Sequence, residues 1–249
     1  MSKIRSQKKI GILYIAILML SLICNIEANI FNEKMKNILK SRRKAVSLLQ
    51  DSSEFLKDAF NGKFKIGTSV SPFELNGGST FIKNHFNSIT PENELKPDSI
   101  INQQACQQRG NNVNTQVVFG SGTQTTLKFC EDNKIPLRGH TFVWYSQTPD
   151  WFFKENFNSG GNYVSTNIMD QRLESFIKNT FDLLRTQYPN LEVYAYDVAN
   201  ELFLNDGGGM RDAGNSHWVR VYGDDSFVIK AFTYARKYAP KNCKLFHND

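Results

Sequence analysis

Apolar positions along the chain fall into short continuous runs, separated by longer stretches in which they recur at helical spacing. The runs are residues 64–70 (FKIGTSV), 86–90, 135–140, 191–198 and 243–247. Their length, and their content of β-branched and aromatic residues, predicts five strands. Residues 79–85, 127–133, 169–188 and 225–238 predict helices. The clearest is 169–188, where Leu173, Phe176, Ile177, Thr180, Phe181 and Leu184 mark one face and Pro189 follows as a stop. An earlier helix is predicted over 51–60, opened by a capping box, Asp51-x-x-Glu54, and ended by Gly62.

Strands alternating with helices argue for parallel βαβ units in an α/β fold. Runs that are apolar throughout suit strands buried on both faces. Five such units fit either an open doubly wound sheet or most of a (β/α)8 TIM barrel. The turn after the first strand, Gly67-Thr-Ser-Val-Ser, lacks the dinucleotide-binding glycine pattern. The run Gly207-Gly208-Gly209 follows no strand directly and is expected to be a loop. Residues 101–126, rich in Gln, Asn, Gly and Thr, are expected to form a long surface insertion.

Charge changes the picture at one end only. The net charge is +6, but residues 1–44 hold ten Lys/Arg against two Asp/Glu, which leaves about −2 for the rest. The basic character belongs to the N-terminal tail, and no nucleic-acid partner is expected. Lys3, Arg5, Lys8 and Lys9 precede an apolar stretch, residues 11–24, too short for a comfortable membrane span. Residues 1–28 are therefore expected to be a signal peptide, 29–50 a basic linker or propeptide, and 51–249 the folded domain. A secreted product follows, with no stable membrane partner after cleavage. The alternative is an uncleaved anchor. The four cysteines, Cys24, Cys106, Cys130 and Cys243, match no zinc spacing and no disulfide framework. They are expected to be small buried apolar groups, with at most a single bridge.

Candidate chemistry clusters where the strands end. After the second strand come Glu92, Asn93, Glu94 and Lys96. After the third come His140, Trp144 and Gln147, after the fourth Asn200 and Glu201, and after the fifth Asn248 and Asp249. Taken singly, each has an ordinary reading, as a solvated loop charge, a packed histidine or a core tryptophan. Their coincidence at one end of one sheet is what points to a site, since barrels of this kind carry chemistry at the C-terminal ends of their strands. The kit suits a sugar: Asn, Gln, Glu, Lys and His for hydroxyl groups, Trp for the apolar face of a ring. A carboxylate at a strand mouth suits glycoside hydrolysis. No Gly-x-Ser-x-Gly elbow is present for acyl transfer. Neither a metal nor an organic cofactor is expected.

The segments FNSITPENELKPDSI, LRGHTFVWYSQTPDWF, YDVANELF and KLFHND, in that order, resemble glycoside hydrolase family 10, the endo-1,4-β-xylanases. The resemblance spans roughly residues 55–249. It implies a (β/α)8 barrel, β-1,4-xylan and xylo-oligosaccharides as substrate, and hydrolysis with retention. It gives Glu201 the role of acid/base and Asn200 that of a partner for the sugar 2-hydroxyl. Lys96, His140 and Trp144 resemble walls of the −1 subsite. Glu92, Asn93 and Gln147 resemble contacts to the −1 and −2 sugars. Tyr145 stands where the family commonly has His, and Tyr196 where Trp is common. The family's nucleophile, a Glu at the end of strand seven, falls beyond the five strands of this chain. The expectation is therefore an incomplete barrel, from a longer product or a truncated reading frame. The competing reading is a non-catalytic xylan-binding remnant.

Overall fold

The computed structural model describes residues 33–37, 40 and 55–249, and the chain divides into two units, Met1–Phe55 and Leu56–Asp249. In the first unit, residues 33–37 are helical and Lys36 pairs with Glu33 at 2.9 Å. The expected signal segment, most of the expected linker and the Asp51-x-x-Glu54 capping box lie outside the described residues. Among the described residues no helix is long and apolar enough to cross a membrane.

The second unit runs α1 (Leu56–Ala59), β1 (Gly67–Val70), α2 (Pro72–His85), β2 (Ser88–Pro91), α3 (Pro97–Ile100), α4 (Gln103–Gln108), α5 (Ser121–Asp132) and β3 (Leu137–Trp144). Two short 3-10 turns follow, and then α6 (Thr166–Gln187), β4 (Val193–Asn200), α7 (His217–Tyr222), α8 (Ser226–Tyr238) and β5 (Lys244–Asn248). All neighbouring strands pair in parallel, and their order is β1-β2-β3-β4-β5. That order decides between the two architectures left open by the sequence. A doubly wound sheet reverses direction at a switch point, whereas this one advances by one strand at each crossover, as a barrel wall does.

Burial follows strand position. No residue of β3 or β4 is exposed, whereas the edge strand β1 exposes two of its four residues and β5 four of its five. The expectation of strands buried on both faces thus holds for the centre of the sheet and not for its edges. Leu127 and Cys130 of α5, Phe176, Ile177 and Phe181 of α6, and Phe227, Ala231 and Ala235 of α8 join Ile89, Leu137, Phe142, Tyr196 and Val198 in one core. At its centre the Phe142 and Tyr196 rings stack at 4.0 Å, with interplanar angle 2°, and Phe176 and Phe181 meet Phe142 edge-on at 5.4 Å. Such pairs contribute about 0.5–1.5 kcal/mol each beyond burial.

Several boundaries differ from expectation. Helix α2 starts seven residues before the predicted 79, because Ser71 and Glu74 form a capping box and Pro72 sits in the first turn. The glycines at 77 and 78 are carried inside it. β3 continues to Trp144, so His140 stands within the strand and not at its end. Residues 101–126 are no surface insertion. They hold α4 and the start of α5, and Ile101, Cys106, Thr115, Val117 and Phe119 are buried. Their polar side chains satisfy buried backbone: Gln103 and Gln107 both donate to the Phe157 carbonyl, at 2.8 and 3.1 Å. The fully buried Arg172 of α6 donates to the carbonyls of Asn112, Phe152 and Lys154 at 2.6–2.8 Å, tying this segment to the loop after β3. Burial pulls the Arg172 guanidinium down to about 10. Cys106, Cys130 and Cys243 are all buried and unbridged.

Candidate active site

Because every strand is parallel, the ends of β2, β3, β4 and β5 share one edge of the sheet, and the residues following them converge there. At the mouth of β4, Glu201 adopts a left-handed backbone, φ +47, which is rare for a residue with a side chain. Its Oε2 accepts the Trp144 indole N–H from β3 at 3.0 Å. The same indole N–H lies 3.3 Å from the Asn200 amide, which pairs with the Asn248 amide at 2.7 Å. Asn200 is buried; Glu201 is half-buried.

Beside this pair, Lys96 is buried, and its ammonium donates to Asn93 Oδ1 at 2.9 Å and Gln147 Oε1 at 2.7 Å. It lies 4.8 Å from the centre of the Trp144 ring, a cation–π contact. Gln147 Nε2 also reaches Asn93 Oδ1, at 3.3 Å, and Gln147 has φ +44. Asn93, Lys96, Gln147, Trp144, Asn200 and Glu201 are thus one contiguous network built from three strand mouths.

His140 faces a second part of the same surface. With Glu92, Arg138, Asp197 and Asn248 it lines an open cavity of about 480 Å³ on the inner face of the sheet. Its Nδ1 lies 3.0 Å from Asp197 Oδ2. A carboxylate only accepts, so Nδ1 carries the proton and Nε2 is left to meet a ligand. Arg138, two residues before His140 and on the same face, holds the other side of Asp197 through Nε at 3.0 Å and Nη2 at 2.6 Å. The hydrogen bond to Asp197 raises the Arg138 guanidinium above its usual range, against the opposing pull of partial burial. A register shift between His140 and Val143 re-aims the end of β3, as bulges beside sites do. The His140–Thr141 peptide is cis.

Asp197 and Arg138 were not singled out from the sequence. The signal was present: an Asp inside an apolar strand needs a partner, and Arg138 and His140 share a face by strand periodicity. Arg211 was also missed. It donates from Nε to the Glu201 carbonyl at 2.9 Å and stacks on the Tyr145 ring at 3.5 Å. Tyr145, which departs from the residue common in the family, therefore has a defined partner. Tyr196 stacks on Phe142, and its buried hydroxyl has no hydrogen-bond partner.

The geometry offers one carboxylate fixed by an indole, a polar wall of amide and ammonium groups, and a histidine oriented by an aspartate. Among the described residues no group of three or more His, Cys, Asp or Glu is placed to hold a metal.

Comparison with known proteins agrees with this arrangement. Residues 55–249 match the model of glycosyl hydrolase family 10. The chain is 71% identical over 198 residues to the bifunctional endo-1,4-beta-xylanase XylA of Ruminococcus flavefaciens, covering 80% of this chain and 21% of that protein. It is 48% identical over 206 residues to endo-1,4-beta-xylanase Y of Acetivibrio thermocellus, covering 78% and 19%. The chain thus spans about a fifth of the length of these relatives. Among solved structures it resembles the CBM22-1–GH10 modules of Clostridium thermocellum endo-1,4-beta-D-xylanase 10B in complex with xylohexaose, at TM-score 0.73 and 47% identity, covering 78% of this chain and 39% of that one. Five parallel strands in barrel order, a carboxylate at the fourth strand's mouth and a family match over both place this chain in glycosyl hydrolase family 10, as an incomplete (β/α)8 barrel.

Proposed function

We propose that the chain supplies the acid/base and the −1 and −2 sugar walls of an endo-1,4-β-xylanase acting with retention on xylan and xylo-oligosaccharides. The observation that carries this reading is Glu201, held at the β4 mouth by the Trp144 indole, with the Lys96–Asn93–Gln147 cluster beside it. The names of its relatives, and the xylohexaose bound by the 47% identical structure, support the substrate class.

The reaction has two steps. Glu201 protonates the departing glycosidic oxygen while a second carboxylate attacks the anomeric carbon. Glu201, now ionised, then takes a proton from the water that releases the sugar. With Oε2 on the indole, Oε1 is the oxygen turned to the leaving group. Retention needs the second carboxylate about 5–5.5 Å away. The resemblance assigns it to a strand-seven Glu outside these 249 residues. Asp249 does not fill that role: its Oδ2 accepts from the Leu202 and Phe203 amides at 3.0 and 3.2 Å. Secretion through a cleaved signal over residues 1–28 belongs to the same proposal. It is supported by the basic start and apolar stretch of that segment, and N-terminal sequencing of the exported protein tests it.

The deciding experiment is Glu201→Gln in the full-length protein containing these residues. Xylan hydrolysis should fall about 10²–10⁴-fold, the scale of general acid–base work. An aryl xyloside with an activated leaving group needs little protonation and should lose far less in its first step. Equal loss on both substrates rejects Glu201 as the acid. Xylo-oligosaccharide binding without any wild-type turnover establishes the binding remnant instead.

A further inference from the structure

Glu201 holds its place against its own backbone preference. A left-handed conformation costs free energy in any residue with a Cβ, and it persists only where the surroundings over-determine it. Those surroundings can be read off group by group. The Glu201 N–H donates to the Asn248 carbonyl at 2.8 Å. The Glu201 carbonyl accepts from Arg211 Nε at 2.9 Å. The next two amides, Leu202 and Phe203, both donate to the Asp249 carboxylate.

Each restraining group is itself restrained. Arg211 is nearly buried, lies flat on Tyr145 and reaches Asn205 Oδ1 at 3.3 Å through Nη2. Its own amide closes a hairpin by donating to the Leu202 carbonyl at 2.9 Å, and Phe203 and Met210 bridge across it. Asp249 Oδ2 also lies 2.9 Å from His247 Nε2. Tyr145 directly follows Trp144, so two adjacent residues of one strand exit govern Glu201. Trp144 fixes its carboxylate, and Tyr145, through Arg211, fixes its main chain.

We propose that Arg211 and Asp249 are positioning residues for Glu201, clamping its left-handed main chain so that the carboxyl group stays on the Trp144 indole and in line with the leaving oxygen. The proposal rests on the reading of Glu201 as acid/base. Released from the clamp, residue 201 relaxes toward an ordinary φ, and the Cα–Cβ bond swings the carboxyl group away. Neither positioning residue touches the sugar walls formed by Lys96, Asn93 and Gln147, so substrate binding is preserved. Arg211 fills its role through a planar fork that also stacks, which a lysine reproduces only as a point charge.

The test uses Arg211→Met, Arg211→Lys, Asp249→Ala and Asp249→Asn in the full-length protein containing these residues, with thermal unfolding as the folding control. Arg211→Met and Asp249→Ala should each lower kcat on xylan about 10–100-fold, the scale of a misplacement near 1 Å, with KM unchanged within about twofold. On an aryl xyloside with an activated leaving group the same variants should stay within about threefold of wild type, because that substrate needs little help from the acid. Asp249→Asn keeps an acceptor oxygen and should recover most of the rate; Arg211→Lys should recover part. Equal losses on both substrates, or a lowered unfolding temperature with kcat on xylan intact, overturn the clamp. If Glu201→Gln shows the leaving-group signature and the clamp variants do not, the clamp alone fails. If Glu201→Gln lacks it too, or wild type has no turnover, the acid/base reading fails and takes the clamp with it.

Discussion

Gly139 and Tyr196 face each other across β3 and β4, and the fit between them has no slack. A Cβ placed on Gly139 lies 2.2 Å from Tyr196 Cε2, 2.3 Å from Cδ2 and 2.7 Å from Cζ. Carbon atoms in contact sit about 3.5–4.0 Å apart, so the overlap is about 1.3–1.8 Å. The ring cannot yield. It is fully buried, flat against Phe142 at 4.0 Å and edge-on to Phe181 at 5.3 Å. Relief must come from spreading β3 from β4, and those strands carry His140, Trp144, Asp197 and Asn200. Overpacking of one methyl group usually costs 1–3 kcal/mol, and Gly139→Ala should reach about 3 kcal/mol because both neighbours are fixed. Urea unfolding followed by tryptophan fluorescence measures this. Tyr196→Ala, itself worth about 3–5 kcal/mol as a large-to-small change, empties the space. In that background Gly139→Ala should cost less than about 1 kcal/mol, a coupling of about 2 kcal/mol or more. A similar cost of Gly139→Ala in both backgrounds, or a negligible cost in wild type, refutes the steric argument.

Tyr196→Phe removes a buried hydroxyl with no partner and should raise stability by about 1 kcal/mol; a fall in the urea midpoint contradicts this. Lys96→Ala breaks the bonds to Asn93 and Gln147 and should lower kcat/KM on xylo-oligosaccharides by about 1–3 kcal/mol. Lost thermal stability with unchanged kcat/KM identifies Lys96 as structural. Burial holds His217 below its ordinary 6.5, with Arg220 and Lys154 pushing the same way and Asp150 opposing. As pH falls, the unfolded chain therefore takes up that proton before the folded one. Stability is fully present above about pH 6.5 and declines below it. His217→Gln should flatten the melting temperature between about pH 7 and 5, and an unchanged slope assigns the loss elsewhere.

The strand–helix alternation, the parallel sheet and the strand-mouth cluster were legible because each is written locally, in runs, caps and neighbouring residues. The strand order was not, since both α/β architectures share that local pattern. What failed was composition read as exposure. Gln103, Asn112 and Thr115 look like surface polarity, yet their side chains pair with the backbone of a crossing around Arg172: Gln103 donates to the Phe157 carbonyl, Thr115 to the Arg172 carbonyl, and Asn112 accepts from the Asn156 amide. Glu201 and Trp144 were found because their neighbours in sequence announce a strand mouth. Arg211 and Asp249 were not assigned roles, because their partners are main-chain groups, the Glu201 carbonyl ten residues from Arg211 and the Leu202 and Phe203 amides a whole strand–helix unit from Asp249. The Gly207–Gly209 run proved to be the tip of the hairpin that returns Arg211 to that backbone, with Gly207 and Gly209 at φ +76 and +89.

The three buried, unbridged cysteines give the fold a clock. Burial pushes Cys130 up to about 12 and Cys243 up to about 11, and raises Cys106 as well. Only the thiolate reacts, and a thiol at about 12 is ionised roughly once in 10⁵ molecules at pH 7. Towards oxidants and alkylating reagents the folded unit is silent at all three positions. Each modification therefore records an opening of the core, and the lag between the three sulfurs reports whether α4, α5 and the approach to β5 come apart together or in turn.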